Sequence, residues 1–258
     1  MDTHRRDQGA DRPARRLRPE GVTPLELWDH PARDTDLWRG RARPDFPELV
    51  RDVAERIAAR ERTTCFVLLG GDAPRVSRAF PEARAEADPF FAAAAALADG
   101  VALAIDVGQT SLKIARATAP NGVMDASAPA QNGVMDARAP AHGGLMDASA
   151  TRTRVERPSE DAPLAPLLAA IDLGAAASTL LALPCALDDA CAPGPCTYPD
   201  VAEALASLAR RAPAASLLVM NDAELAAVAA RRAGWVPPGT RALVLTCGFG
   251  IGAAVVRG

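Results

Sequence analysis

Short apolar runs alternate with segments of helical periodicity along most of this chain. Between 46 and 62, apolar residues such as Leu49, Val53 and Ile57 recur at the spacing of one helix face, which predicts a helix. The run 65–69 (CFVLL) is apolar throughout, which predicts a buried strand. The same patterns predict strands at 65–69, 101–105, 111–117, 151–155, 179–183, 216–220, 241–246 and 253–256, and helices at 46–62, 89–98, 163–177, 200–211 and 222–233. This alternation predicts an α/β fold with a mixed sheet flanked by helices.

Composition divides the chain into an N-terminal part and a main body. Residues 1–45 are rich in Arg, Asp and Pro, which predicts a disordered or loosely packed arm. Residues 46–100 are expected to add a helix-strand-helix extension, and 101–258 the main body. Within that body, 120–150 contains three copies of an 11-residue repeat rich in Ala, Pro and Gly. Copies this short do not make solenoid units, so we expect an inserted, solvated loop.

Charge and cysteine content restrict the setting of the protein. The formal net charge of −3 gives no attraction to nucleic acid or to an anionic membrane. No 18-residue apolar run and no apolar signal core occur, and the five cysteines are odd in number, so we expect a cytoplasmic protein with reduced thiols. Cys185, Cys191 and Cys196 lie close in sequence without a CxxC pair, which favours packing residues over a zinc site.

A first candidate site lies between two predicted strands, at Asp106-Val-Gly-Gln-Thr-Ser-Leu-Lys113. Gly108 would let backbone N–H groups approach a phosphate, and Asp106 would hold hydrated Mg²⁺. Thr110 and Ser111 offer hydroxyls, and Lys113, the only lysine in the sequence, offers a point charge. An ordinary β-turn is the alternative explanation.

A second candidate lies where the predicted strand 216–220 meets a helix, at Asn221-Asp222. A carboxylate at this position can accept the proton of a hydroxyl that attacks a phosphoryl group, and the neighbouring amide can orient that hydroxyl. Capping of the helix by Asn221 or Asp222 is the alternative. A third candidate is the run Gly248-Phe-Gly250-Ile-Gly252, whose alternate glycines suit contact with phosphate or simply form a hairpin.

The order of these three motifs resembles the actin-like ATPase fold, a ribonuclease H-like mixed sheet, over roughly residues 101–258. Within that superfamily the chain looks most like the ROK group of repressors, open reading frames and sugar kinases. The resemblance implies that Asp222 is the catalytic base and Asn221 a substrate-binding amide. It also implies that both loops bind the phosphates of ATP with Mg²⁺ near Asp106. The nucleotide-binding residues would be Asp106, Gly108, Gln109, Thr110, Ser111, Lys113, Gly248, Gly250 and Gly252.

Several positions depart from the ROK pattern. Gln109 replaces a glycine, Phe249 replaces a threonine, and the Ser111-Leu-Lys113 continuation is more similar to carbohydrate kinases of the FGGY type. The Glu-x-Gly-His and cysteine-rich motifs of the family's second domain do not occur in the sequence. The resemblance therefore implies an N-terminal ATPase domain and only the start of the second. Three interpretations stay open: a partner chain that supplies the second domain, a homo-oligomer, and a fragment of a longer kinase.

These observations predict ATP-dependent phosphoryl transfer to a hydroxyl of a small molecule, most plausibly a sugar. The resemblance makes the chain a carbohydrate kinase-like transferase, or half of one. Two alternatives stay open. One is a non-catalytic, sugar-sensing regulator, although no helix-turn-helix pair is evident before residue 100. The other is a degenerate pseudokinase, which Phe249 and the absent motifs favour.

Overall fold

The computed structural model describes residues 14–25, 44–118, 150–159, 162–174, 176–194, 196, 198–212, 217–248 and 251–258. The predicted repeat insert and most of the predicted N-terminal arm lie outside these residues. The strands are β1 (Arg15–Arg16), β2 (Val22–Leu25), β3 (Cys65–Leu69), β4 (Arg84–Glu86), β5 (Leu103–Val107), β6 (Ser111–Ala117), β7 (Ala150–Glu156), β8 (Thr179–Leu183), β9 (Leu217–Asn221), β10 (Arg241–Cys247) and β11 (Ile251–Arg257). The helices are α1 (Phe46–Glu61), α2 (Ala73–Val76), α3 (Phe91–Ala98), α4 (Leu164–Ala169), α5 (Val201–Arg211) and α6 (Asp222–Arg232), with a 3₁₀ turn at Ser77–Ala79.

The strands form two mixed sheets with the same internal arrangement. In the first sheet the order is β1-β9-β8-β5-β6-β7, and in the second it is β2-β11-β10-β3-β4. In each sheet three antiparallel strands, β5-β6-β7 or β10-β11-β2, are extended by two parallel strands, β8-β9 or β3-β4. The short strand β1 adds a further parallel edge beside β9. The two sheets thus share one pattern of strand neighbours and directions, but the chain connects the strands in a different order, because β2, β3 and β4 precede β10 and β11.

Five layers result from the way helices cover these sheets. Helices α4 and α5 bury Leu168 and Leu208 against the outer face of the first sheet. Helix α1 buries Val50 and Ile57 against the outer face of the second sheet. Helices α3 and α6 lie between the sheets and pack against both, with Ala95 in contact with one apolar cluster and Ala96 with the other. A helix that is apolar on all sides has to be buried on all sides, which the alanine run of α3 achieves here.

The structure confirms a general α/β class with mixed sheets, but it differs from the expected domain organisation. Residues 14–25 do not belong to a loose arm, because β1 pairs with β9 and β2 pairs with β11. Likewise the stretch 46–100 is not a separate extension, since β3 lies beside β10 in the second sheet. No strand was predicted for β1, β2 and β4, because these edge strands are short and polar or contain Pro24, which an edge tolerates. A second sheet is therefore present in this chain itself.

A second difference concerns the helix expected at 163–177. Helix α4 ends at Ala169, well before the expected boundary. Gly174 then adopts a φ of 56°, which a helix does not contain. Alanine-rich composition suggested the longer helix, whereas the chain turns to deliver Ile171 and Leu173 to the core beneath the first sheet.

A buried ion pair fixes the N-terminal strands to the middle layer. Arg16 on β1 approaches the Glu224 carboxylate on α6 to 2.7 Å, and their side chains are only 5% and 2% exposed. Glu224 also accepts a hydrogen bond from the backbone N–H of Asn221, at 2.9 Å. Both charges are therefore compensated inside the protein, and removing one would leave the other buried alone.

We expect Arg16→Met to lower the free energy of unfolding by about 3–5 kcal/mol, because Glu224 would keep its charge without a partner. Urea denaturation measures this difference. The matched control is Arg15→Met on the same two-residue strand, where the side chain is exposed and the expected change is below about 0.5 kcal/mol. Equal losses in the two variants would contradict the assignment.

Candidate functional site

The parallel strands of both sheets point their carboxyl ends at one cleft. β5, β8 and β9 of the first sheet and β3 and β10 of the second all end there, and the cavity between them has a volume of about 540 Å³. In open α/β sheets, ligands bind outside the carboxyl ends of parallel strands. A cavity of this size is typical of a small-molecule site.

The cleft brings together residues from all three candidate motifs. The predicted residues that line it are Asp106, Gly108, Gln109, Thr110, Ser111, Lys113, Asn221, Asp222, Gly248 and Gly252. Gly250 and Phe249 lie outside the described residues. Segments more than a hundred residues apart in sequence thus contribute to a single site.

The turn between β5 and β6 is shaped by Gly108. Its N–H donates to the carbonyl of Ser111 at 3.0 Å. A Cβ atom on Gly108 would collide with Lys113 Nζ and would lie 3.1 Å from the Ser111 carbonyl oxygen. Glycine therefore gives this turn its tight fit against the Ser111 carbonyl, whereas the end of the flexible Lys113 side chain could shift to make room for a larger residue.

Two residues outside the sequence motifs, Tyr198 and Arg157, stabilise this turn by hydrogen bonds to its carbonyl groups. The Tyr198 hydroxyl donates to the Gly108 carbonyl at 2.6 Å, and burial raises the pKa of Tyr198 to about 12, so this donor keeps its proton. The Arg157 guanidinium lies 4.0 Å from the centre of the Tyr198 ring and donates to the Gln109 carbonyl. The sequence carried one signal for this role, because Tyr198 is the only tyrosine.

Charged side chains form a row across the cleft floor. Asp106 and Lys113 are directly opposite on β5 and β6, with Lys113 Nζ 3.4 Å from the Asp106 carboxylate. Lys113 in turn is opposite Arg154 on β7, which also lines the cleft and was not predicted. Like charges directly opposite each other destabilise a sheet, and here each cation has a carboxylate beside it, since Arg154 Nε lies 2.6 Å from the Glu156 carboxylate.

Ser111 lines the cleft and has a buried hydroxyl. The residue is 1% exposed, and its Oγ has no hydrogen-bond partner among the described residues. A buried hydroxyl without a partner costs roughly 1–3 kcal/mol. This position is consistent with a donor that acquires its acceptor from a bound anion such as phosphate.

Asn221 caps helix α6. Its Oδ1 accepts from the Ala223 N–H at 2.9 Å, and its Nδ2 donates to the carbonyls of Cys185 at 3.0 Å and Leu183 at 3.3 Å. With Glu224 it completes a capping box. The capping explanation therefore accounts for Asn221, and both amide hydrogens are committed to the protein. A substrate contact through this residue would have to use the second lone pair of Oδ1.

Asp222 has a carboxyl group with a strongly altered proton affinity. Burial, and after it the charge of the Asp106 carboxylate, raise its pKa to about 7, while Lys113 and the Ala223 N–H act in the opposite direction. A carboxyl group with a pKa near neutrality can take up and release a proton at physiological pH. Perturbation of this kind by burial and by a second carboxylate is typical of functional sites.

The hairpin of β10 and β11 approaches Asp222 from the second sheet. The Gly252 N–H donates to Thr246 Oγ1 at 3.0 Å. A Cβ on Gly252 would collide with that hydroxyl and lie 3.6 Å from Asp222 Oδ1. Gly70, at the end of β3, has a φ of 107° and comes equally close to the backbone of Cys247. Glycine at these positions lets the second hairpin come close to the carboxylate.

The described residues contain no cluster of three or more His, Cys, Asp and Glu side chains that could enclose a metal ion. Mg²⁺ does not need such a cluster, because it is usually held by one or two carboxylates, water and the substrate's phosphates. Asp106, which lines the cleft, fits that requirement by chemistry, and its charge is one cause of the raised pKa of Asp222. At the cysteine-rich loop, Cys185 and Cys191 are buried and all five cysteines are free thiols.

Fold and cleft together define a two-sheet α/β protein with one site at the strand ends. No protein-family model matches the chain, and neither a curated protein nor a solved structure matches it. In the part of the chain that is described, no helix has the length and apolar character needed to cross a bilayer.

The altered pKa of Asp222 predicts a pH-dependent gain in stability for Asp222→Asn. In the unfolded chain this carboxyl ionises near 3.8, whereas in the folded protein it ionises near 7. The folded state therefore loses stability as the pH rises through this interval, by up to roughly 4 kcal/mol above pH 7. Asparagine carries no charge. We therefore expect the Asp222→Asn protein to unfold at a higher urea concentration than wild type at pH 8, and at a similar urea concentration at pH 4.5.

The matched control for that comparison is Asp52→Asn, on the exposed face of α1. This variant is expected to follow wild type at both pH values. If Asp222→Asn showed the same offset at pH 4.5 and pH 8, burial of an ionisable carboxylate would not be its cause.

The unpaired hydroxyl of Ser111 predicts that Ser111→Ala is more stable than wild type by about 1 kcal/mol, because a buried polar group is removed. Thr179→Val tests the same physics away from the cleft, since Thr179 is 0% exposed and its Oγ1 also has no partner among the described residues. Thermal unfolding without ligand should show an increase for both variants. A loss of stability in Ser111→Ala would mean that the hydroxyl has a partner in the folded protein.

Proposed function

We propose that the chain is an ATP-dependent phosphotransferase of the actin-like ATPase type that acts on a hydroxyl of a small molecule. The observation that carries this proposal is that Asp106, Asp222 and Gly252 line one cleft between two sheets. In this proposal, the β5–β6 hairpin and the β10–β11 hairpin bind the phosphate chain of ATP. Asp222 accepts the proton of the attacking hydroxyl.

The matching arrangement of strands in the two sheets supports the actin-like assignment. A site between two similar lobes is what the resemblance of the motifs implies, and both sheets of this chain share one pattern of strand neighbours and directions, although the chain connects their strands in a different order. The second sheet takes β2, β3 and β4 from residues 22–86 and β10 and β11 from residues 241–257. A two-lobed cleft in this proposal therefore does not require a second polypeptide.

Proton transfer would centre on Asp222. With a pKa near 7, about half of the molecules carry the ionised base at neutral pH. The acceptor hydroxyl gives its proton to this carboxylate while its oxygen bonds to the γ-phosphorus, and the bond to the β–γ bridging oxygen breaks to release ADP. Bound Mg²⁺ would neutralise charge on the phosphates. Ser111 and Lys113 would donate hydrogen bonds to the phosphate oxygens. Tyr198 and Arg157 hold the turn between β5 and β6 in place through its carbonyl groups.

Non-catalytic binding of a nucleotide is the second candidate, and a specific observation favours it. The amide hydrogens of Asn221, which the resemblance assigns to the substrate, are both used by the protein. Phe249 also replaces a hydroxyl residue in the second loop. A binding protein of this kind would retain nucleotide affinity without turnover.

Turnover and binding measurements on matched variants separate these candidates. For an enzyme, Asp222→Asn should lower kcat at least about 100-fold while the Kd of Mg-ATP changes less than about threefold, because the base acts only on the acceptor. The kcat of wild type should rise with pH through about 7, as the base ionises. An ADP-release assay measures the first quantity, and titration calorimetry measures the second. Mg-ATP binding without ADP release from any acceptor would identify the binding protein.

Ser111→Ala should weaken Mg-ATP binding by roughly tenfold to a hundredfold, since it removes a hydrogen bond to a charged group. Thr179→Val should not change binding, because Thr179 does not line the cleft.

Asp106→Asn should remove the dependence of ATP affinity on Mg²⁺, with Asp52→Asn as the control. Unchanged Mg²⁺ dependence in Asp106→Asn would sink the assignment of the metal-bearing carboxylate.

A further inference from the structure

Two thiols lie in contact beside the cleft. Cys185 follows β8 and lines the cleft, and its side chain is hydrogen-bonded to that of Cys196. Burial and the charge of Asp106 are the main causes of the raised pKa of Asp222, and the Cys196 thiol adds to them. Both cysteines pack in the apolar cluster beneath the first sheet, where Cys185 is 1% exposed and Cys196 is partly buried. The fold therefore holds together two thiols that are separated by ten residues in sequence.

A short hairpin after β8 brings the two cysteines together. Leu187 forms an isolated antiparallel bridge with Pro193, and the Gly194 N–H donates to the Ala186 carbonyl at 2.9 Å. Continued to the base of the hairpin, this register puts the second cysteine one position beyond the residue opposite the first. Paired residues of antiparallel strands have Cα atoms roughly 4.5–5.5 Å apart, a separation that a disulfide can span. The hydrogen bond between the thiols shows that their side chains meet.

Cys191, near the tip of the same hairpin, has a different partner. It is buried, and its Sγ donates a hydrogen bond to the Ala14 carbonyl at 3.4 Å. Three cysteines thus occur within twelve residues of sequence, and the fold gives two of them to each other and the third to the segment before β1.

We propose that Cys185 and Cys196 are a redox-active dithiol, which a low-molecular-weight disulfide such as oxidised glutathione converts to an intramolecular disulfide. A partly exposed thiol in contact with a second thiol is the arrangement in which reaction of the first is followed by closure with the second. This site is independent of the proposed phosphotransferase function, since no nucleotide takes part in the exchange.

Exposure decides the order of the two steps. A hydrogen bond to Cys196, and after it burial, raise the pKa of the Cys185 thiol, so Cys185 keeps its proton and does not begin the exchange. The partly exposed Cys196 attacks one sulfur of glutathione disulfide, and the released glutathione takes up the proton that Cys196 loses. Cys185 then attacks the Cys196 sulfur, and its proton leaves with the second glutathione. Two protein thiols are oxidised by two electrons, and one disulfide is reduced to two thiols.

Folding and formation of this disulfide should stabilise each other. In the unfolded chain the thiols meet only by chance, whereas the folded chain holds them in contact. We therefore expect the equilibrium constant for disulfide formation with glutathione to be at least about tenfold higher in the folded chain than in concentrated urea. By the same linkage, the oxidised chain should unfold at a higher urea concentration than the reduced chain.

The experiment equilibrates the full chain with mixtures of reduced and oxidised glutathione at about pH 8, in native buffer and in concentrated urea. Remaining thiols are alkylated with N-ethylmaleimide, and the peptides are mapped by mass spectrometry. In native buffer the map should show Cys185 linked to Cys196 and Cys191 alkylated. In urea it should show all three pairings of these cysteines, because no fold selects among them.

Three variants test the role of each thiol. Cys185→Ser should stop the exchange at a mixed disulfide of Cys196 with glutathione, because the second thiol is missing. Cys196→Ser should leave Cys185 without glutathione, because the buried thiol does not react first. The matched control is Cys191→Ser, which should form the disulfide with an equilibrium constant within about twofold of wild type.

Measurements on wild type alone can overturn the proposal, so it does not depend on the folding of any variant. It fails if the folded chain forms no disulfide, if Cys191 is linked to either of the other two, or if glutathione stays on Cys196 without closure to Cys185. Equal equilibrium constants in native buffer and in urea would also overturn it, because the contact in the fold would then contribute nothing. A chain that binds no nucleotide and still forms this disulfide would refute the proposed function and support the dithiol.

Discussion

Close packing of helices α3 and α6 between the two sheets is the constraint on which the remainder of the structure depends. Their small side chains, mainly alanines such as Ala95 and Ala227, let both sheets approach the same pair of helices. Helix α6 begins at Asp222 and therefore presents its first turn to the cleft. Larger side chains on α3 and α6 would separate the two sheets. The β5–β6 and β10–β11 hairpins would then no longer lie on either side of the Asp222 carboxylate.

The cleft contains groups that lower the stability of the folded chain. The pKa of Asp222 is raised by burial and by Asp106, and Ser111 buries a hydroxyl that has no partner among the described residues. Neither arrangement is favoured by folding alone, whereas the Arg16–Glu224 pair close by brings two opposite charges together. A ligand in the cleft can supply a partner for the Ser111 hydroxyl, which it cannot do for the equally buried hydroxyl of Thr179 away from the cleft.

Local sequence pattern predicted most elements because their residues carry the signal themselves. The run 65–69 formed a strand with the expected bounds, and the periodic segment from Phe46 formed α1. The three motifs also met in one cleft, as their positions at strand ends indicated. Strands β1, β2 and β4 were missed because hydrogen bonding to a neighbouring strand, rather than alternation of apolar residues, makes them strands. Tyr198 and Arg157 were missed because their role is visible only from the carbonyls they contact.

By itself, the sequence determined which residues can do chemistry and which segments form helices and central strands, since both depend on side-chain type and local spacing. Only the tertiary structure decided that residues 22–25, 65–69 and 84–86 join residues 241–257 in a second sheet. It alone showed that the side-chain oxygen of Asn221 caps α6 while its amide hydrogens bond to the carbonyls of Leu183 and Cys185. Pairing between distant strands and the choice of hydrogen-bond partners depend on three-dimensional proximity, which local sequence pattern does not specify.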